Sequence, residues 1–572
     1  MKINRSLLLM LATVILLFGS CAAPASTSTT QSSLTSVVAK LPTYQLNVSV
    51  SPSGAGAVSP SGGNYESGSN VTLTATPTSG YTFDYWDGAI SSSDNSVIII
   101  MNSNKGITAH FKSVEAKPKT TTTPPASFPA TTGEGLSKSI VVAATDATTN
   151  EKAMARLSGG AVCDGMADDV EIQAAIDTCS GTRWGTVKLI GSFIIATPIV
   201  MESYVHLDCT DAKISLVNGG NVNLLTAYSK NNFKITGGKW DGNRNNQTAA
   251  CQGFSLTDCT DWTVRDAEIL NIFKDADTEG GNALILLSSA RGNILNNYIH
   301  DCGDPTVSAN GVGIDICGTS FDDFVDGNTI VSCDGGIYLY CGNGGDIANN
   351  IIVSNNHIST ITRDGISLYN NGNVGTITNN VIRNNHLLDC GMDTNHCAIV
   401  VGNLGDAEHN SVVGNIIDFT GNYGYGIIIA GNYNSITGNS INNSPRHAIV
   451  VEGANNNVIA NNDIESTNIY WECIRLKDAS LNNLIEANVM KQGEVGLMTE
   501  GNSSNNYFKN NVISTMSAYA MDVSATGDTG NIFEGNSIIN TGTAVLDNGT
   551  GTMWRNNPSY LASGDVGSIE RN

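Results

Sequence analysis

Asn297-Tyr298-Ile299, Asn328-Thr329-Ile330, Asn356-His357-Ile358, Asn385-His386-Leu387, Asn415-Ile416-Ile417, Asn439-Ser440-Ile441, Asn462-Asp463-Ile464, Asn488-Val489-Met490, Asn511-Val512-Ile513 and Asn536-Ser537-Ile538 repeat one phrase at intervals of 23 to 31 residues. A period of that length marks a solenoid, in which each repeat buries its apolar face only against its neighbours. After each phrase comes a glycine-led apolar strand, as in Gly313-Ile314-Asp315-Ile316, Gly336-Ile337-Tyr338-Leu339, Gly365-Ile366-Ser367-Leu368 and Gly426-Ile427-Ile428-Ile429. Apolar and polar residues alternate there, the period of a strand with one buried face, and no repeat carries a helix-length pattern. Each turn of chain parses as three short strands. The recurring asparagine is expected at a tight bend, in a left-handed conformation that Asn and Gly adopt cheaply, with its amide bonded to the asparagines of the turns above and below. Such stacking describes a parallel β-helix. Ordinary antiparallel sandwiches would instead show hairpin turns of two to five residues and no fixed asparagine.

At 572 residues, with 60 glycines and a formal net charge of −23, the chain is longer than one ordinary domain and is rich in turns. The charge excludes nucleic acid as a partner and unaided binding to an anionic membrane or polyanionic sugar. An anionic substrate would need a bridging cation or a local basic patch.

Lys2 and Arg5, the apolar run Leu7 to Phe18 and Gly19-Ser20-Cys21 have the shape of an export signal, too short to span a bilayer as a mature helix. The ending Phe18-Gly19-Ser20-Cys21 resembles a bacterial lipoprotein signal, which implies cleavage before Cys21, lipidation of its sulfur and a cell-surface location. Phe18 stands where Leu is usual, so plain secretion is the alternative. Residues 22–43 form a Ser/Thr-rich tether. Residues 44–115 are short alternating strands punctuated by Pro52-Ser53-Gly54 and Pro60-Ser61-Gly62-Gly63. With Gly80-Tyr81-Thr82-Phe83-Asp84-Tyr85-Trp86-Asp87-Gly88 and Thr108-Ala109-His110-Phe111, this module resembles the divergent internalin-type B repeat, a spacer or adhesive unit. Trp86, with Tyr81 and Tyr85, is either core or a sugar platform. A Thr/Pro-rich linker, 116–137, leads to the solenoid, 138–572.

The solenoid opens on an amphipathic helix. Asp168 and Asp169 are expected to cap it, and Ile172, Ala175, Ile176 and Cys179 make an apolar stripe that can plug the open end of the first coil. Asp164-Gly165-Met166-Ala167-Asp168-Asp169, Gln173-Ala174-Ala175-Ile176-Asp177, Gly185-Thr186-Val187-Lys188-Leu189 and Ile235-Thr236-Gly237-Gly238-Lys239-Trp240-Asp241-Gly242-Asn243 together resemble the pectate-lyase superfamily, with repeats similar to those of NosD-type proteins. The resemblance implies an all-β, right-handed parallel β-helix with an N-terminal capping helix, preceded by the small β module. It says little about activity, because lyases, hydrolases, epimerases, tailspikes and non-enzymatic proteins share this architecture.

The resemblance also implies that a cleft lies on the glycine-led strands, beside the variable loops that precede them. Alternation turns Ser255, Asp315, Tyr338, Tyr340, Ser367, Tyr369, Ile428, Arg475, Lys477 and Asp522 outward. Aligning the turns places Asp275, Asp277, Glu279, His300, Asp301, Asp304, Asp334, Arg363, Asp364, Asp389, Asp393 and His396 along one side of that sheet. Clustered carboxylates share a proton or bind a cation, and both states serve sugar chemistry. The catalytic candidates are Asp315, Asp334, Asp364 and Arg363. Tyr338, Tyr340, Tyr369, His300, Arg475 and Lys477 are candidates for substrate binding, and Asp301 with Asp304 for Ca²⁺. The alternative is an acidic surface that is only solvated.

Against the polygalacturonase pattern, Val312 replaces an aspartate in Asn310-Gly311-Val312-Gly313, Cys333-Asp334-Gly335-Gly336 keeps one carboxylate of two, Arg363-Asp364-Gly365 lacks the histidine, and Arg475-Leu476-Lys477 lies several turns too far along. That set is incomplete for inverting hydrolysis. β-Elimination requires a base beside a uronate carboxyl and a cation to hold the developing charge, for which Arg363 or Arg446-His447 qualify. Cys302 with Cys333 come within disulfide reach on adjacent turns, and Cys251 with Cys259 and Cys390 with Cys397 are local possibilities; packed thiols are the alternative. Tyr423, Tyr425, Tyr433, Tyr470 and Trp471 either extend a sugar-stacking groove or cover the helix edge. The expected protein is a monomeric, surface-anchored polysaccharide-binding protein, either a carbohydrate-active enzyme of lyase, hydrolase or epimerase type or a non-catalytic adhesin.

Overall fold

The computed structural model describes residues 43–66, 69–78, 81–89, 96–101 and 103–113, and then 138–571 with gaps at 181–183, 275–279, 304–310, 371–374, 394, 406, 422–423, 467–469, 542 and 561–565. The export signal, tether and linker, Cys21, Asp304, Asp275, Asp277, Glu279 and Tyr423 lie outside the described residues. The chain divides into two compact units at residues 121 and 122. Among the described residues no helix is long and apolar enough to cross a membrane.

In the first unit Thr43–Ser51 and Lys105–Ser113 pair in parallel and are flanked by the antiparallel strands Gly62–Glu66 and Tyr81–Gly88. Gly56–Ser59, Asn70–Pro77 and Ser96–Ile100 form a second, antiparallel sheet. Alternating apolar residues close one core around Leu46, Leu73 and Ile99. Trp86 belongs to it, fully buried and packed against Phe83 at 5.3 Å between ring centroids, so it is a core residue and no sugar platform.

The second unit is a parallel β-helix. Each turn gives one strand to each of three parallel sheets, as in Val312–Cys317, Phe324–Asp326 and Thr329–Val331. Inward Ile, Val and Leu residues from all three form one continuous core. Where a turn begins its glycine-led strand the backbones nearly touch: a Cβ on Gly336 would lie 2.1 Å from the Gly365 carbonyl oxygen, and one on Gly426 2.2 Å from that of Ala448. Four turns depart from the three-strand parse. Ser320–Phe321, Ile347–Asn349, Thr376–Thr378 and Ala407–Glu408 add a small fourth sheet just after the glycine-led strands.

The asparagines stack as expected. In the run Asn297, Asn328, Asn356, Asn385, Asn415, Asn439, Asn462, Asn488, Asn511, Asn536 and Asn557, the backbone N–H of each donates to the Oδ1 of the next at 2.9–3.0 Å. Its Nδ2 bonds the same oxygen and a backbone carbonyl of the preceding turn, as Asn439 does with Asn462 and Val412. The left-handed residue, however, is the one before each asparagine: Asn296, Gly327, Asn355, Asn384, Gly414, Gly438, Asn461, Ala487, Asn510, Gly535 and Asn556 have positive φ, and the ladder asparagines do not. The bend is made one residue early so that the next side chain can turn inward and bond along the stack. A second ladder runs Asn380, Asn410, Asn434, Asn457, Asn483, Asn506 and Asn531, always five residues before the first.

Both ends of the coil are covered. The helix Asp169–Ser180 buries Ile172, Ala175, Ile176 and Cys179 against the first strands. Asp168 and Asp169 do not cap it through their side chains. Asp168 accepts from Gly165 N and Ile194 N, and Asp169 from Ala196 N and Thr197 Oγ1, so the pair rivets the helix to the strand Gly185–Ile195 and the segment after it. A second helix, Thr149–Ser158, starts at a capping box made by Thr148 and Glu151. At the far end Val566–Arg571 pairs antiparallel with Met553–Tyr560. The twelve cysteines from Cys163 to Cys473 are free and buried, so the alternative of packed thiols holds.

Candidate functional site

The outward face of the glycine-led sheet carries a row of residues in strict register: Ser255, Ile285, Asp315, Tyr338, Ser367, Val400, Ile428, Val450, Arg475, Met498 and Asp522. Two positions further along the strands, Tyr340 lies beside Tyr369 with rings 5.8 Å apart and nearly parallel. The row holds two groups of polar side chains.

In the first group Asp315 directs Oδ2 at Asn282 Nδ2, 2.9 Å away, and Oδ1 at Cys317 Sγ, 3.1 Å away. Asp364 Oδ1 accepts from Cys397 N at 2.9 Å and faces His396 Nδ1 at 3.2 Å. The other ring nitrogen, Nε2, faces Arg363 Nε at 3.4 Å. Because a carboxylate accepts and a guanidinium donates, neutral His396 carries its proton on Nδ1 and leaves the Nε2 lone pair toward Arg363. The side chains of His396 and Asp364 are 20% and 15% exposed. Tyr338 completes the group: burial pushes its hydroxyl well above the usual range, the charge of Asp364 pushes the same way, and Arg363 opposes them. Asp334 is under the surface. It is 4% exposed and accepts from Gly311 N at 3.1 Å, so it holds Gly311 at the entry to the strand Val312–Cys317.

The second group repeats this pattern of carboxylate, imidazole and guanidinium. His447 Nδ1 is paired with Glu472, and His447 Nε2 with Arg475 at 2.8 Å. Arg475 also binds Glu500 through Nε at 3.0 Å, and Lys477 binds Glu452 at 2.8 Å. Burial raises the Glu472 carboxyl, but the bond and charge of His447 outweigh it, and the net shift is downward. Tyr425 stacks on His447 at 5.7 Å, Trp471 meets the same ring edge-on at 4.8 Å, and Arg446 lies 5.0 Å over Tyr425 and bonds its hydroxyl. A cavity of about 200 Å³ opens here, between Asn395, Tyr425, Ile428, His447, Val450, Glu452, Arg475 and Lys477.

Other candidates lie apart. His300 is on the third sheet, held by Asp301 at 2.6 Å and Glu268 at 3.3 Å and stacked on Tyr298. Asp301 therefore has a partner already, and its proposed Ca²⁺ companion Asp304 is outside the described residues. Asp389 accepts from Thr420 and Gly421 in an exposed loop. Among the described residues, one cluster brings three metal-ligand atoms together, Cys163, Asp168 and Glu171 beside the capping helix. Both Asp168 oxygens are engaged by backbone N–H groups, and burial pushes the Cys163 thiol up to about 12, so packing accounts for it.

Sequence reading located Asp315, Arg363, Asp364, Arg475 and Lys477 by counting from the asparagines. It missed the pairing of His396 with Arg363 and of His447 with Glu472, because each pair joins loops of different turns. A histidine and an acidic residue on successive turns, each two or three residues before the register position of its glycine-led strand, as Asp364 and His396 stand before Ile366 and Ile399 and His447 and Glu472 before Ile449 and Ile474, are the signal that was there to use.

Residues 46–115 match the divergent InlB B-repeat domain. Residues 232–418 and 406–558 match the right handed beta helix region. No curated protein matches the chain significantly. Among solved structures, the A-module of the Azotobacter vinelandii mannuronan C-5 epimerase AlgE6 is 17% identical, with 67% of this chain and 97% of that one covered and a TM-score of 0.47. The tailspike protein of E. coli bacteriophage HK620 in complex with a pentasaccharide is 14% identical over 69% and 77%, with a TM-score of 0.46. PfbA, a surface adhesin of Streptococcus pneumoniae, is 12% identical over 72% and 93%, with a TM-score of 0.39. Likeness of this degree transfers no activity. The two solenoid matches together span more than half of the sequence, and by them the chain belongs to the right-handed β-helix family.

Proposed function

We propose that the protein is an extracellular, surface-anchored polysaccharide-binding protein, and that its groove along the glycine-led sheet acts on uronate-containing glycans by removing the proton next to the carboxylate. The observation that carries this reading is the set Asp364, His396, Arg363 and Tyr338. His396 Nε2 is a lone pair held in place by a carboxylate behind it, which is the arrangement of a general base. Arg363 is the local cation that a chain of net charge −23 needs to receive an anionic sugar; among the described residues no carboxylate is paired with it. A substrate carboxylate on Arg363 would separate it from His396 and free Nε2 to take the proton. The electron pair left on carbon would spread into the carboxylate held by Arg363. Tyr338, kept protonated, would then donate either to the leaving oxygen, giving elimination, or to the opposite face of the carbon, giving epimerisation. Tyr340 and Tyr369 offer ring faces to a sugar further along the strand.

Hydrolysis is less well supported. It needs an acid and a base across the bond, and of the three candidate carboxylates Asp334 is buried and Asp364 is committed to His396 and Cys397. A second reading, a non-catalytic adhesin, is favoured by the N-terminal B-repeat module.

Incubating the full chain in D₂O with oligouronates and following loss of the C5 proton by NMR tests both elimination and epimerisation. Exchange is expected, falling on the order of 10²-fold or more in His396→Ala. No exchange with any uronate, together with retention of the glycans on an affinity gel, would replace the enzyme by the adhesin.

A further inference from the structure

The second group of polar residues has the same pattern as the first but a different electrostatic balance. Both cations lining its cavity are already neutralised, Arg475 by Glu500 and Lys477 by Glu452. The buried imidazole is paired with Glu472. Beyond them Asp522, two steps down the same row from Arg475, is 7% exposed and its Oδ1 has no hydrogen-bond partner. Burial raises the Asp522 carboxyl, and so do the charges of Glu472, Glu500 and Asp528. The field in this region therefore opposes a further negative charge. An incoming carboxylate would have to compete with Glu500 or Glu452 for the cations that line the cavity.

The walls and floor fit a different guest. Ile428 and Val450, neighbours in register, make an apolar floor. His447 with Tyr425 stacked on it forms one wall, and the fixed pairs Lys477–Glu452 and Arg475–Glu500 form the rim. An apolar face beneath a ring, an aromatic side and an orienting rim of paired donors and acceptors suit a neutral pyranose, whose C–H face is apolar and whose hydroxyls each donate and accept. We propose that this cavity is a binding station for a neutral sugar unit, set about three turns, or ~14 Å, along the row from the Arg363 station. The ligand implied is a glycan that carries neutral and uronate units in one chain. The proposal rests on the groove reading for its connection to the Arg363 station, while the neutral station itself stands on its own chemistry.

The test is calorimetric titration of the full chain with two kinds of probe: tetrasaccharides of glucose, mannose, galactose and xylose, and oligouronates from alginate and pectate. The variants are Ile428→Trp, which fills the floor, Tyr425→Ala, which removes the wall, and Arg363→Ala. At least one neutral tetrasaccharide is expected to bind, and Ile428→Trp to weaken it roughly tenfold or more, a change of about 1.4 kcal/mol. Tyr425→Ala, which adds no bulk, should weaken the same sugar and so guards against misfolding of the tryptophan variant. Oligouronate affinity should fall with Arg363→Ala. The two readings fail separately: no neutral sugar binding up to roughly 10 mM, or neutral binding untouched by both cavity variants, overturns the neutral station, while uronate binding untouched by Arg363→Ala overturns only the other.

Discussion

Asp323 shows what a single side chain costs inside the coil. It occupies the position of the second asparagine ladder, five residues before Asn328, and its Oδ1 accepts from Gly292 N at 2.7 Å. Oδ2 is buried without a partner, and desolvation pushes the carboxyl well above its usual value. The folded state therefore keeps this proton above the unfolded pKa near 3.9. Its contribution to stability is complete below that value and is lost as pH rises through the folded pKa. In Asp323→Asn an Nδ2 donor would face the Ser289 carbonyl, the counterpart of the Ala348 carbonyl that Asn380 uses. The variant is expected to gain about 1–3 kcal/mol at pH 7 and nothing near pH 3, read as thermal midpoints at the two pH values. At this scale the sequence was partly legible. Alternation sufficed to turn Asp315, Tyr338 and Arg475 outward, since a strand leaves no other choice. It did not foresee that Asp334 would be buried, because that depends on how closely Gly303 and Gly311 approach it and each other, which alternation along one strand does not encode.

The ladders are a property of the turn as an element. Removing a carboxamide from the middle, as in Asn439→Ala, deprives Asn415 of its Oδ1 acceptor and leaves the Val412 carbonyl without its side-chain donor. The expected loss is about 1–3 kcal/mol, measured by denaturant or thermal unfolding; Asn557→Ala at the last rung should cost less, because no further asparagine follows it. Ala487 is the opposite case, a β-carbon in the left-handed bend that other turns give to Gly or Asn, at φ 56°. Ala487→Gly should stabilise the coil by up to about 1 kcal/mol, and an unchanged midpoint would mean that the bend is not strained. The first ladder could be read from its phrase, except for Asn557, which Pro558 and Ser559 follow in place of the aliphatic residue. The second ladder repeats the same phrase, as in Asn457-Val458-Ile459, but it is less regular: Gly292, Asp323 and Ile351 stand at its position in the turns of Asn297, Asn328 and Asn356. The fourth sheet and the helix Thr149–Ser158 were less legible. The former rests on bridges two or three residues long, the latter on Thr148 and Glu151 without a strong apolar stripe.

For the whole molecule, the two compact units have separate cores, one around Trp86 and one running the length of the coil. Calorimetry of the full chain should resolve two transitions, and Trp86→Ala, at a cost of about 3–5 kcal/mol, should lower one and leave the other in place. A single transition that moves as one would show that the units are coupled. Fold was more legible than site for a physical reason. The coil is the same local solution repeated, so every turn restates it, whereas the groove is assembled once from loops that share no pattern. The ladders also bear on how such a protein ages. Asparagine is the residue most prone to spontaneous deamidation, which begins when the following backbone nitrogen attacks the side-chain carbonyl carbon. Along the stack that carbonyl is pinned by two donors from its neighbour and the residue after it is fixed in a strand, so the attack geometry is out of reach. The chemical lifetime of the coil should then be set by asparagines outside the ladders, such as Asn502 with its exposed turn, and the fold's own hydrogen bonds act as its preservative.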